Sequence, residues 1–285
     1  MTDAMRFLVV DGYAREGRAE LANGGASEAG HLYHAMLAKH APGAIVDIVY
    51  PADPDGELPQ GAAIADYDGI CWTGSSLTIF DDDPEVTRQI DFAKAAFADG
   101  VPSFGSCWAA QIAIVAAGGL VQANPRGREM GIARKIQLTP EGRAHPMYEG
   151  KSGVFDAFIS HFDEVTHLPP GAVMLASNAF THVQSVAVVH QAGTFWGLQY
   201  HPEYDLHELA RLTYCRAAKL AARGFFEDEA AAQRYVDQLE ALHQDPSRKD
   251  LAWLLGIDDD VMNEDVRRLE VRNWIERLVR PSLHR

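Results

Sequence analysis

Residues 103–113 read SFGSCWAAQIA, and the reading of this stretch decides the fold. Upstream, VPSFGS (101–106) is a short apolar run of strand type. Downstream, AAQIAIVAAGGL (109–120) is alanine-rich, helix-like and closed by a Gly pair. A thiol, Cys107, stands at the junction. A strand that turns sharply into a helix needs small flanking residues, because its backbone is crowded and strained, and Gly105 and Ala109 meet that need. The helix would aim its unpaired N–H groups and dipole at the sulfur, helping to bring a cysteine pKa toward the roughly 3.5–7.5 of activated thiols. The amide of Trp108 would then donate to an oxyanion formed on an attacked carbonyl. A cysteine taken alone is more simply a buried structural thiol, so the rest of the chain has to decide.

Working outward, apolar runs alternate with helical patterns. RFLVV (6–10) reads as a first strand, SEAGHLYHAMLAKH (27–40) as a helix, AIVDIVY (44–50) and YDGICWTG (67–74) as strands. A helix begins at Asp83 as N-cap with Pro84 in its first turn and stops before Gly100. Such alternation predicts an α/β fold: a mostly parallel open sheet with helices on both faces and sites at the carboxyl ends of strands. From about Ile132, β-like runs follow (ARKIQLT, FDAFIS, AVMLAS, SVAVVH, TFWGLQY), which suggests added antiparallel strands. After HPEYD the chain is helix-rich, with apolar residues at three- and four-residue spacing. A soft boundary near Phe225 separates residues 1–225 from a helical extension, 226–285.

The bulk composition narrows the partners. The 285 residues are 47% hydrophobic with a net charge of −15, an ordinary globular balance that argues against nucleic acid and anionic membranes. No run is long and apolar enough for a membrane span, and the start lacks the pattern of a signal peptide. Cys71, Cys107 and Cys215 have no metal-type spacing and read as reduced thiols of a cytoplasmic protein. The acidic runs at 81–83 and 258–260 read as helix caps, so no metal and no cofactor is expected.

The second half of the chemistry stands in FWGLQYHPEYD (195–205). His201 follows an apolar strand and precedes Pro202, which fixes a turn. Glu203, on the same turn, is the carboxylate that a base needs to hold its tautomer and stabilise its cation.

Together these residues resemble the class I, triad-type glutamine amidotransferases, in particular a stand-alone amidotransferase domain of the GMP-synthase type. The family's G-x-C-x-G-x-Q elbow is matched by Gly105, Cys107 and Gln111, and its Q-[FY]-H-P-E strand end by Gln199, Tyr200, His201, Pro202 and Glu203. The resemblance implies a flavodoxin-like sheet, Cys107 as nucleophile, His201 as base and Glu203 as its orienter. TGSSLTIFDD (73–82) is similar to the loop that lends an oxyanion donor, which implies Gly74 and Ser75 beside Trp108. ISHFDEVTHLPPGAVMLASN (159–178) is similar to the segment that holds the substrate's amino-acid end, which adds Ser160, His161 and Phe162 to Gln111 as binding residues. Two departures stand out: Ala109 replaces the elbow glycine, and Ser75-Ser76 replaces Gly-Pro in the loop. His161 borders the pocket with or without a direct role. Arg126, Arg128 and Glu129 lie near a loop adjoining the site and contact an acceptor or partner, or only solvent.

The resemblance implies hydrolysis of the glutamine side-chain amide through a thioester. The ammonia would pass to a separate ATP-dependent synthetase, since neither a P-loop nor a pyrophosphatase loop occurs here. The competing expectation is a stand-alone γ-glutamyl hydrolase acting on a γ-glutamyl amine or peptide. A third, a binding protein on an inactive scaffold, conflicts with the intact Cys, His and Glu.

Overall fold

A computed structural model describes residues 4–283; the first three positions of the amino-terminal stretch lie outside it. The strands are β1 (Arg6–Val10), β2 (Ile45–Val49), β3 (Gly69–Trp72), β4 (Ser103–Ser106), β5 (Leu120–Ala123), β6 (Glu129–Leu138), β7 (Val154–His161), β8 (Asp163–His167), β9 (Ala172–Ser177), β10 (Ser185–His190) and β11 (Gly193–Leu198). Nine of them form one sheet in the order β2-β1-β3-β4-β11-β10-β9-β6-β7, and β5 pairs with β8 separately. The first five in that order run parallel, and antiparallel pairing takes over from β10 outward.

Helices α1 (Arg15–Asn23), α2 (Ala29–His40), α3 (Pro84–Asp99) and α4 (Trp108–Ala116) belong to the parallel half, and α5 (Pro140–Ala144) is a short turn of helix beyond β6. Gly100 closes α3 in the left-handed conformation at φ 73°, and Asp83 occupies its N-cap position without making a side-chain cap bond. The run 206–224, which reads as one helix, is broken at Arg216 into α6 (Leu206–Cys215) and α7 (Ala217–Ala222). After it come α8 (Glu229–Gln244), α9 (Lys249–Leu255), α10 (Asp259–Met262), α11 (Glu264–Arg267) and α12 (Leu269–Trp274). Asp258 caps α10 by accepting from the Asp260 amide, so the second acidic run is used as a cap.

Strand alternation sorts the core onto two faces. Phe7 and Val9 join Phe104, Trp196 and Leu198 on one face; Leu8 and Val10 join Trp72, Trp108, Ile112 and Phe195 on the other. Helices α3 and α4 cover the second face. The first takes α2 and, from the far end of the chain, α12: the Trp274 ring lies 5.7 Å from Phe7 and 5.8 Å from Phe104. Gly69 makes room for it, since a Cβ there would come within 2.8 Å of the indole. A third cluster joins α1, α6 and α8 through Leu21, Leu209, Leu212, Val236 and Leu239 beside the carboxyl end of the sheet.

Candidate active site

Cys107 sits between the last residue of β4 and the first of α4, with φ 56° and ψ −105°. For a side chain with a β-carbon this conformation is uncommon and strained, and such strain collects at working sites. The turn is held by the Cys107 amide, which donates to Leu198 O at 2.7 Å and so ties the elbow to β11. It is also possible only because residue 105 is glycine: a Cβ there would lie 2.4 Å from both the Ala109 methyl and Trp72 O. The methyl that Ala109 adds therefore occupies space left by Gly105.

Parallel pairing of β11 with β4 carries His201 to the same edge. Its amide donates to Phe158 O at 2.8 Å, and its ring stacks on Tyr204 with centroids 4.0 Å apart and planes 4° from parallel. The Nδ1–H of His201 donates to Glu203 Oε1 at 2.7 Å. The same oxygen accepts from Ser106 Oγ at 2.8 Å, and Ser106 in turn accepts from Tyr33 OH at 2.8 Å. Nε2 of His201 is buried without a hydrogen-bond partner. Burial pulls the imidazole pKa down, but the Glu203 carboxylate and the hydrogen bond to it, together with the nearby Cys107 sulfur, outweigh it and lift the value to about 9.

Gly74 sits against both groups: a Cβ on it would lie 3.1 Å from His201 Cε1 and 3.8 Å from Cys107 Cβ. Its neighbour Ser75 lines the cavity and lies outside the left-handed region; its hydroxyl accepts from the Leu77 amide at 3.1 Å. Trp108 opens α4, where first-turn amides lack intrahelical partners. Its indole N–H donates to Gln89 at 2.8 Å, fixing the turn from behind.

A cavity of about 370 Å³ opens over Cys107, and Gln111, Ser160, His161 and Phe162 all line it. Ser160 O lies 3.7 Å from the Cys107 sulfur as acceptor for the thiol, and Gln111 Nε2 donates to Asp163 O at 3.3 Å. His161 is tied on both sides, Nδ1 to Asp163 O at 2.8 Å and Nε2 to Glu129 Oε2 at 3.1 Å. Glu129 also accepts from Asn178, Thr181 and Gln184, at 2.7, 2.8 and 3.0 Å. Burial alone would raise its pKa; these bonds, with His161 foremost, hold it below the usual carboxylate value. Of the loop residues, Glu129 is thus buried, Arg126 binds the carbonyls of Ala179 and Phe180, and Arg128 lines the cavity.

Several lining residues carry no sequence motif. Tyr13 comes from the turn before α1, Tyr204 from the turn before α6, and Arg216 from the break between α6 and α7. Only Tyr204 had a local signal, its place in HPEYD. Among the described residues no group of three or more His, Cys, Asp or Glu is placed to hold a metal, and no helix is long and apolar enough to cross a membrane.

A strained thiol at a strand–helix elbow and the histidine of a buried histidine–glutamate pair thus line one cavity at the carboxyl end of the parallel strands. The chain belongs to the class-I glutamine amidotransferase family, whose model matches residues 43–213. Among its relatives is a gamma-glutamyl-L-1-hydroxyisopropylamide hydrolase of a Pseudomonas species, 36% identical over 99% of this chain and 96% of that protein. The GMP synthase of Thiobacillus denitrificans is 34% identical over 47% of this chain, a match that takes in 25% of that enzyme's length. A solved glutamine amidotransferase from Thermotoga maritima shares the fold, with TM-score 0.65 at 15% identity over 97% of this chain and 99% of its own.

Proposed function

We propose that this protein is a stand-alone γ-glutamyl amide hydrolase in which Cys107 attacks, His201 shuttles the proton and Glu203 orients His201. The observation that carries the chemistry is His201, with one ring nitrogen committed to Glu203 and the other buried and open beside the Cys107 thiol. The near full-length similarity to a γ-glutamyl amide hydrolase favours this substrate class over glutamine itself.

In this reading the Cys107 thiolate adds to the γ-carbonyl carbon. The oxyanion so formed accepts from the Trp108 amide and from the loop at Gly74 and Ser75, donors worth on the order of 10²–10³ in rate each. Collapse breaks the C–N bond as His201 gives its proton to the departing amine, leaving a γ-glutamyl thioester on sulfur. Water, deprotonated by His201, attacks that thioester and releases glutamate and the free thiolate. We assign the reaction to the cytoplasm, where all three unpaired cysteines would stay reduced.

The second reading is a glutaminase that hands ammonia to a separate synthetase, favoured by the similarity to part of GMP synthase. A substrate panel separates the two. Hydrolysis of γ-glutamyl amides of small amines at a kcat/KM well above that for glutamine supports the first. Ammonia release from glutamine with no turnover of substituted amides would overturn it.

A further inference from the structure

Two guanidinium groups converge beside the reacting sulfur. Arg216 Nη1 donates to Ser160 Oγ at 2.7 Å, and Arg128 Nη1 reaches the same hydroxyl at a longer 3.4 Å. Ser160 O is the acceptor 3.7 Å from the Cys107 sulfur. Both arginines are half-buried and line the cavity. Among the described residues, no carboxylate lies within 4.0 Å of either, although the chain holds 40 acidic against 25 basic residues. Some other arginines are paired, such as Arg18 with Asp53 at 2.6 Å and Arg277 with Glu149 at 2.7 Å, while Arg126 and Arg267 donate to backbone carbonyls instead.

A neutral hydroxyl can satisfy two N–H donors, but it cannot neutralise two positive charges. Like charges held together in a low-dielectric wall repel and lose hydration, so the pair is costly unless an anion comes to it. The guanidinium fork fits a carboxylate with two parallel hydrogen bonds, a geometry that lysine cannot reproduce. The position also suits the substrate class. In a γ-glutamyl group a short methylene spacer separates the reacting carbonyl from the α-carbon and its carboxylate. Arg216 is supplied by the break between α6 and α7, beyond the stretch that the family model matches.

We propose that Arg216 and Arg128 form a carboxylate clamp that takes a substrate carboxylate in place of Ser160 Oγ and thereby selects γ-glutamyl compounds. The inference rests on the hydrolase reading for its substrate but is tested separately by binding. The full-length Cys107→Ala protein is titrated calorimetrically with γ-glutamyl-L-1-hydroxyisopropylamide and with the 4-aminobutanoyl amide of the same amine, which lacks only the α-carboxylate. γ-Glutamyl-alanine, whose amine carries a second carboxylate, forms the third arm.

The parent compound is expected to bind roughly 10–100-fold more tightly than its decarboxylated analogue, and Arg216→Gln to close that gap. Arg216→Lys should restore part of it, since the charge remains and the fork is lost. A loss confined to γ-glutamyl-alanine would put the arginines on the amine side and overturn their role in selecting the γ-glutamyl group. Equal weakening of all ligands by Arg216→Gln, no weakening at all, or no binding by the Cys107→Ala protein overturns the clamp. Should Arg216→Gln not fold, Arg128→Gln makes the same comparison. A wild-type protein that hydrolyses no γ-glutamyl amide defeats the proposed function and leaves this binding result to be judged alone.

Discussion

Two histidine–glutamate pairs flank Cys107, and the difference between them teaches more than either does alone. In both the ring is buried and hydrogen-bonded to a carboxylate, at 2.7 Å for His201–Glu203 and 3.1 Å for His161–Glu129. The His201 pair leaves Nε2 open toward the thiol, with the ring clamped flat by Tyr204. In the His161 pair both nitrogens are consumed, and Glu129 is saturated by Asn178, Thr181 and Gln184. A base has to have somewhere to put a proton. By that criterion we propose that the first pair moves protons and that the second braces the wall that carries Ser160 and Phe162.

The largest test removes the partner that both pairs face. Cys107→Ala should abolish turnover, by on the order of 10⁶-fold where a nucleophile works as part of a unit, while the thermal unfolding curve stays close to wild type. A glutamine-like chloroketone should label Cys107 alone by peptide mass mapping. Cys215 is the stringent control because it lines the same cavity, whereas Cys71 is fully buried. Comparable labelling of Cys215, or an active Cys107→Ala protein, sinks the mechanism.

Next comes the comparison itself. His201→Asn should cost nearly as much as loss of the thiol while leaving Tm little changed. His161→Asn should do the reverse, lowering stability by about 1–3 kcal/mol as buried acceptors lose their donor, with a far smaller loss of kcat in the folded protein. If His201→Asn keeps its rate and His161→Asn does not, the two roles are exchanged.

Glu203→Gln probes the orienter and should be milder than His201→Asn, because the imidazole is misdirected but still present. It also carries a pH signature. The folded-state pKa of His201, about 9, lies above the unfolded value near 6.5. The stability from that pairing is therefore fully present below about 6.5 and drains away as pH rises through about 9. Urea titrations across pH 6–10 should show that loss in the wild type and a flatter profile in Glu203→Gln. Identical slopes would mean that Glu203 does not hold the charge on His201.

What could be read from the sequence follows from how local each device is. The elbow is encoded within five residues, because Gly105 and Ala109 answer a steric demand made next door. The His201 turn is local too, with Pro202 and Glu203 adjacent. By contrast, the chain from Tyr33 through Ser106 to Glu203 joins α2, β4 and the turn after β11, and no periodicity announces it. Trp274 completes a sheet face that begins at Phe7, more than two hundred residues earlier, and in sequence it is one apolar position of an amphipathic run. Arg216 was hidden for a related reason: 206–224 keeps helical spacing throughout, so the break that turns this side chain onto Ser160 comes from tertiary packing. His161 sits in a segment similar to one in the family, which predicts a place at the pocket but cannot tell an open nitrogen from a consumed one.

The smallest expected effect concerns the loop between Gly74 and Leu77, where serine stands in place of glycine. If the peptide here must rotate to present an N–H to the oxyanion, Ser75 resists in two ways. Its β-carbon disfavours positive φ, and its hydroxyl, accepting from the Leu77 amide at 3.1 Å, fastens the turn in its present shape. Ser75→Gly removes both restraints. Since a complete oxyanion donor is worth on the order of 10²–10³ in rate, freeing one that is partly populated should raise basal kcat by roughly tenfold or less. KM for the γ-glutamyl substrate should hardly move, because the gain is realised in the transition state. Steady-state kinetics on the two proteins, beside a crystal structure of the substrate-free wild type, decide the matter. If the Ser75 amide already faces the cavity above Cys107 and Ser75→Gly is no faster, the loop is preformed, and serine at this position is a neutral departure from the family pattern.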